Sequence, residues 1–206
     1  MTPSHPTEQV TSAERQRLRQ RLRRARDEID PLTVAGNSSI ISAQLLPLLS
    51  TARTIAGYLA IGSEVHLDDT LARCRERGQI TCVPITRPDH TLLFTPFDSA
   101  TTLTVNRFGI REPVFDEQSC LSATSLDAVI VPLVGFDRHC HRIGMGGGYY
   151  DRTFAQPVGG RARATEKQAL LIGVAHEVQY VEQLVPDWWD VPLDVVVTER
   201  RIVYRQ

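Results

Sequence analysis

The stretch from Asp127 to Phe136, DAVIVPLVGF, is a nearly continuous apolar run, and it narrows the possible folds more than any other part of the chain. A strand with one face in water alternates apolar and polar residues; a strand covered on both faces need not. Two-sided cover is the mark of a parallel sheet with helices above and below it. The same signal, in shorter form, recurs at TIAGYLA (Thr54 to Ala60), ITCVPI (Ile80 to Ile85), ALLIGVA (Ala169 to Ala175) and LDVVVTE (Leu193 to Glu199). A weaker strand is expected over Thr91 to Thr95, and RIVYR closes the chain.

Helical patterns separate these runs. From Glu14 to Asp30 an arginine-rich segment sets Leu18, Leu22, Ala25 and Ile29 at helical spacing, with Ser12 as the expected N-cap and Pro31 as the expected stop. Further helices are expected from Ala35 to Leu49, Leu67 to Arg77 and Gly148 to Phe154, and a loop from Gln156 to Gln168. The order predicts an α/β fold of three αβα layers around a mostly parallel central sheet, preceded by the basic helix. With 206 residues the chain is expected to form one domain, residues 1–206, in which 1–11 lack fixed structure.

Several function classes fall away on composition. The net charge is −1, and the acidic residues Glu14, Asp27, Glu28 and Asp30 flank the arginines, with no aromatic between them for base stacking. No nucleic-acid partner is therefore expected. No run approaches the roughly 18 apolar residues that span a bilayer, and the N-terminus lacks the apolar stretch of a signal peptide, so a cytoplasmic protein without a membrane partner is expected. Cys74, Cys82, Cys120 and Cys140 include no CxxC pair, and His176-Glu177 lacks the second histidine of HExxH, which argues against zinc.

The chemistry concentrates where the strongest strand ends. RIGMGGGYYDR, residues 142–152, places Gly144, Gly146, Gly147 and Gly148 in five positions. Such a run serves either a tight strand-to-helix connection or the close approach of backbone to a ligand, and backbone amides so exposed hold anions. GxxxxGK[ST] is absent, and Tyr149 stands where GxGxxG would end, so neither common nucleotide loop is present. Arg142 offers a fork of donors to a phosphate. Asp151 would be repelled by one unless a cation lay between, which points to Mg²⁺, though an acid in a first helical turn has a dipole explanation too. Tyr149 and Tyr150 are either core aromatics or walls for a flat ligand.

The segment VPLVGFDRHCHRIGMGGGYYDRTF, residues 131–154, resembles the signature of the 5-formyltetrahydrofolate cyclo-ligase family. Further likenesses run in the family's order: RQRLR at Arg15 to Arg19, Glu64 after the first strand, VPI at Val83 to Ile85, FGIREP at Phe108 to Pro113, and DVPLDVVVTERRI from Asp190. The resemblance implies a three-layer α/β enzyme. It would use MgATP to close 5-formyltetrahydrofolate to 5,10-methenyltetrahydrofolate, releasing ADP and phosphate, through a phosphorylated formyl group.

It also implies residue roles. Arg142, Ile143, Gly144, Met145, Gly146, Gly147, Gly148, Tyr149 and Tyr150 match the ATP-binding segment, with Arg15 and Arg19 as the basic pair that reaches the phosphates. The same Arg-x-x-Leu-Arg motif recurs one step later, at Arg19 and Arg23, so the register stays open. Arg142 and Asp151 would be catalytic, Asp151 and Asp190 magnesium ligands. Leu59, Glu64, Phe108, Met145 and Tyr149 would meet the folate. A monomer acting on a small-molecule substrate is expected.

The chain also departs from the pattern. Cys140 stands where the family usually has glycine, Met145 replaces a residue that is often aromatic or basic, His66 and Leu67 replace an acidic-Thr pair, and Arg15 replaces a frequent lysine. Cys140 and Met145 keep a second reading in view, a folate- or nucleotide-binding relative that does not close the ring.

Overall fold

The computed structural model of the chain describes residues 11–105, 111–155 and 168–206. Its elements are α1 (Ser12–Asp27), α2 (Pro31–Leu48), β1 (Thr54–Ala56), α3 (Asp68–Glu76), β2 (Ile80–Thr86), β3 (Leu92–Pro96), β4 (Leu103–Val105), β5 (Arg111–Pro113), β6 (Ala128–Pro132), β7 (Gly135–Phe136), β8 (Arg142–Ile143), α4 (Tyr149–Phe154), β9 (Leu170–Val174), β10 (Val195–Val197) and β11 (Ile202–Tyr204).

Seven strands form one sheet in the order β11-β10-β9-β6-β1-β2-β3. The inner five are parallel, and the two edge strands, β3 and β11, run antiparallel. The fold class is thus the α/β arrangement expected, a mostly parallel sheet with antiparallel edge strands. Alternate residues sort cleanly to the two faces. Ala128, Ile130, Ile172, Val174, Val195 and Val197 pack under α2 and α3 with Ile41, Leu45 and Leu71. Val129, Val131, Leu171 and Val196 face the other way, against Phe136, Cys140 and the aromatic rings of α4. Both faces being dry, no strand in this part of the chain needed alternation.

The sheet's chain order reverses between β1 and β6. From β1 the chain proceeds to β2 on one side, and from β6 to β9 and β10 on the other. The strands' carboxyl ends therefore part there and leave a crevice, the usual ligand position in an open α/β sheet. Helix α1 closes one side of that crevice, with Leu22 buried against Val134, Ile143 and Leu184. Gly135 permits this approach: a Cβ there would lie 2.4 Å from Leu22 Cδ1.

Several boundaries differ from expectation. The run Asp127 to Phe136 is not one strand; β6 ends at Pro132, and Gly135–Phe136 pairs with Arg142–Ile143 in a separate hairpin. The N-cap of α1 is Thr11 rather than Ser12, its hydroxyl accepting from the Glu14 N–H while the Glu14 carboxylate accepts from the Thr11 N–H. Residue 11 thus has a fixed role, and residues 1–10 lie outside those described. Pro31 starts a helix instead of stopping one: Asp30 caps α2, accepting from the Leu32 and Thr33 N–H groups, and Pro31 occupies the first turn, where its missing N–H costs nothing. The expected loop from Gln156 to Gln168 falls, except for its last residue, outside the described residues. Among the described residues, no helix is long and apolar enough to cross a membrane.

Candidate active site

The β7–β8 hairpin fixes the first of the site residues. Its turn is organised by Asp137, which is fully buried and accepts from the N–H groups of His139, His141 and Leu184 at 2.9, 3.0 and 2.9 Å and pairs with His141 Nδ1 at 3.0 Å. A desolvated carboxylate is tolerable only when its lone pairs are occupied in this way. Cys140 takes φ +61, a left-handed conformation that favours glycine. The cysteine therefore keeps the turn that a glycine would make, and its thiol is buried with Sγ 3.4 Å from the Val203 carbonyl. Burial, with Asp137 adding to it, pushes the thiol up to about 11, so it stays protonated and unreactive near neutral pH.

This turn delivers Arg142 into the crevice. Its guanidinium is almost fully buried, donates from Nη1 to the Val191 carbonyl and from Nη2 to Asp151 Oδ1 at 2.7 Å. Asp151 Oδ1 also accepts from the Val191 N–H at 3.0 Å. The glycine run thus begins and ends on two side chains that meet each other. Between them, Gly146 and Gly148 take φ of +105 and +67, values that a side chain would make costly. The backbone passes close to Arg19, whose Nε donates to the Gly144 carbonyl at 2.9 Å.

Helix α1 presents one stripe to the site, with Arg15 and Arg19 one turn apart and Arg26 two turns further on. Arg15 pairs with Asp187 and with Asp190, Nη2 to Oδ2 at 2.5 Å. Burial lowers the Arg19 pKa, and the charge of Arg15 lowers it further, with Asp190 opposing. Deeper along the helix, buried Arg26 donates to Glu64 Oε1 at 3.3 Å, while Glu64 Oε2 accepts from the Ile61 N–H at 3.0 Å. Nε of Arg26 also donates to Ser63 Oγ. Glu64 is thereby fixed in place on the wall of the cavity that the glycine loop also lines.

These groups share one cavity of about 440 Å³ at the carboxyl ends of β1, β2 and β6. Of the residues singled out in the sequence, Arg15, Arg19, Leu59, Glu64, every residue from Arg142 to Asp151, and Asp190 line it. Arg23 is exposed and is not among the lining residues, so the first of the two registers of the basic motif is the one that faces the cavity. Phe108 lies outside the described residues. Tyr150 is held on the wall by stacking on Phe154, with ring centroids 6.3 Å apart, and its buried hydroxyl finds no partner among the described residues. Burial raises its pKa. The Tyr58 hydroxyl, in contrast, donates to the Val65 carbonyl at 2.9 Å.

Among the cavity and supporting residues that the sequence does not single out are Arg26, Tyr58, Arg111, Asp187 and Trp189. Arg26 was one arginine among many, and only its burial against a residue 38 positions away distinguishes it. Trp189 did carry a signal, an exposed tryptophan pair directly before Asp190, with Trp188 80% and Trp189 50% exposed. Together with exposed Met145 and Ile61 it gives the cavity an apolar rim.

The donor set suits Mg²⁺ held jointly with phosphate. Asp151 is bonded to the N–H of the residue that follows Asp190, so the two carboxylates are neighbours. Each makes its contacts through a single oxygen, leaving Asp151 Oδ2 and Asp190 Oδ1 unbonded by described residues. No cluster of three or more His, Cys, Asp or Glu side chains exists among the described residues, and Mg²⁺ needs only one or two carboxylates when phosphate and water complete its shell. Among the described lining residues there is no serine, cysteine, lysine or histidine to act as a covalent nucleophile.

Comparison with known proteins agrees with this picture. Residues 11–199 match the model of the 5-formyltetrahydrofolate cyclo-ligase family. The chain is 31% identical over 169 residues to the 5-formyltetrahydrofolate cyclo-ligase of Escherichia coli K12, covering 81% of this chain and 89% of that one. It is also 31% identical over 193 residues to the enzyme of the same name from Haemophilus influenzae, covering 91% and 100%. The NMR structure of Aquifex aeolicus 5,10-methenyltetrahydrofolate synthetase superposes with a TM-score of 0.75 at 28% identity, over 92% of each chain.

Proposed function

This chain belongs to the 5-formyltetrahydrofolate cyclo-ligase family, and from that premise we propose that it converts 5-formyltetrahydrofolate to 5,10-methenyltetrahydrofolate in the cytoplasm, with MgATP consumed to ADP and phosphate. The observation that carries the reading is the closure of the glycine run by Arg142 and Asp151 at Val191, inside a cavity that Glu64 also lines.

The need for ATP follows from the substrate. The formyl group on N5 is an amide, and its oxygen leaves poorly. In the first step the formyl oxygen attacks the γ-phosphorus of ATP; the new O–P bond forms as the bond to the ADP oxygen breaks. The carbon then carries an O-phosphate and a positive charge shared with N5. N10 attacks that carbon, the C–O bond breaks with its electrons going to phosphate, and N10 gives up its proton, leaving the methenyl cation.

Phosphoryl transfer asks the protein for alignment and charge neutralisation, not for a covalent partner. Arg142, Arg15 and Arg19 supply fixed positive charge to the phosphates, and the backbone from Gly144 to Gly148, with Ile143, Tyr149 and Tyr150, lines their path. Asp151 and Asp190 would hold Mg²⁺, which when bound neutralises phosphate oxygens. Glu64 matches the donor edge of the pterin ring, its N3–H and 2-amino group, and Arg26 keeps that carboxylate aimed. Leu59, Met145 and the ring of Tyr149 offer the apolar surface that flat rings cover.

The binding-only alternative drew on Cys140 and Met145; the Cys140 turn retains the geometry of a glycine and leaves Arg142 in the crevice, and Met145 lines the cavity. The test is a spectrophotometric assay with purified protein, 5-formyltetrahydrofolate and ATP. Equal amounts of methenyl product and ADP, formed only with both ATP and Mg²⁺ present, support the cyclo-ligase; tight binding of both reactants with no product would favour the alternative.

A further inference from the structure

Among the described residues, one cavity cation has a side chain without a partner. Arg15, Arg19 and Arg142 are each satisfied by a carboxylate or a backbone carbonyl, and all three gather at the glycine-loop end. Arg111 lies elsewhere, on β5 of the outlying β4–β5 hairpin, where it sits opposite Val105. It lines the same cavity, is exposed, and makes no hydrogen bond or ion pair with any described residue. Its neighbour Glu112 has an interaction of its own. The same cavity is lined by the apolar residues Val83, Pro84 and Leu92 of β2 and β3.

The substrate has a matching remainder. If the site acts as proposed above, the ATP phosphates use the glycine-loop cations and the pterin donors use Glu64. The glutamate end of the folate, with its two carboxylates, is then the one strongly charged part of the reactants without a protein group. We propose that Arg111 binds a carboxylate of that glutamate tail, making the hairpin that carries it the determinant that distinguishes tailed from tail-less folates. A guanidinium fork fits a carboxylate in two parallel hydrogen bonds, and the apolar β2–β3 wall suits the aromatic linker that precedes the tail.

The inference rests on the folate reading, so its test is a ratio that does not require turnover. The affinities of 5-formyltetrahydrofolate and of 5-formyltetrahydropteroate, which lacks the glutamate, are measured by tryptophan fluorescence for the parent protein, Arg111→Gln and Arg111→Glu. The parent should prefer the tailed ligand about tenfold, a bidentate charge pair discounted for its exposed position. Arg111→Gln should abolish most of that preference, and Arg111→Glu should reverse it. A preference that is unchanged in both variants overturns the assignment, as does a loss of ATP affinity in their place. If the ratios shift as stated while the parent forms no methenyl product, the tail contact stands and the cyclo-ligase reading fails.

Discussion

Arg142 and Asp151, nine residues apart, both hold Val191: the guanidinium donates to its carbonyl, the carboxylate accepts from its N–H, and the two side chains meet at 2.7 Å. A segment that begins at the β8 hairpin and ends in α4 is thus tied to the stretch leading into β10. Removing Arg142 leaves a partly buried carboxylate without its cation, a loss of about 3 kcal/mol. Arg142→Ala should lower both stability and turnover. Asp151→Asn keeps an oxygen for Val191 and Arg142 but leaves the buried guanidinium without its counter-ion, so it should lose less stability than Arg142→Ala, which also loses the hydrogen bonds, while turnover falls roughly 100-fold or more, the scale of removing an electrostatic contact to the reacting groups. Equal losses of stability in the two variants would contradict this division of roles.

The ion pair between Arg15 and Asp190 gives the proposed site a linkage between metal and nucleotide. If Asp190 holds Mg²⁺ and Arg15 the phosphates, as proposed, a cation must compete with Arg15 for that carboxylate, and phosphates must compete with Asp190 for Arg15. Each ligand frees the partner that the other needs. The chain's two tryptophans, Trp188 and Trp189, adjoin Asp190 and provide the signal. ADP titrated with Mg²⁺ should bind at least about tenfold more tightly than with EDTA, within the usual range of coupling. Asp190→Asn should bring the two values together.

The sheet and the glycine loop were legible because their signals are local. An apolar run or a glycine cluster can be read within ten residues, and both are where the sequence put them. The break at Leu133 was hidden by the same property that revealed β6: a run without alternation carries no mark of a change in sheet. The caps were misread, not absent, since Thr11-x-x-Glu14 and Asp30-Pro31 are both start signals that went to neighbouring residues. Arg26 with Glu64, Arg111 at the rim and Asp187 beside Arg15 were invisible for a different reason. Their significance lies in contacts between distant segments or in the shape of the cavity, and no spacing rule reports those.

Cys140 gives a test of the turn that carries Arg142. A non-glycine residue at φ +61 costs roughly 1–2 kcal/mol, offset here by burial of the side chain. Cys140→Gly relieves the one and loses the other, and its urea midpoint should correspond to a stability within about 1 kcal/mol of the parent. Cys140→Val puts a branched side chain into the same conformation and should cost about 2–4 kcal/mol. Similar effects in the two variants would mean that φ does not govern the site.

His176 sets an acid limit on stability. Asn37 Nδ2 donates to its Nδ1 at 3.1 Å, so the ring proton sits on Nε2 and is donated to the Ser63 carbonyl at 3.1 Å. Burial lowers its pKa from the ordinary 6.5. The unfolded chain therefore takes up a proton at a pH where the folded one does not. The stability that this neutral ring confers is complete above about pH 6.5 and is lost as pH falls below it toward the folded value. Urea midpoints measured from pH 7.5 down to pH 5 should decline, and His176→Gln should flatten that decline.

The activation of the formyl oxygen is tested most directly by an isotope. With ¹⁸O in the formyl group of 5-formyltetrahydrofolate, mass spectrometry of the released inorganic phosphate should find one ¹⁸O per phosphate, matched to each methenyl formed. Unlabelled phosphate, with the ¹⁸O recovered in water, would contradict phosphorylation of the formyl group at this site.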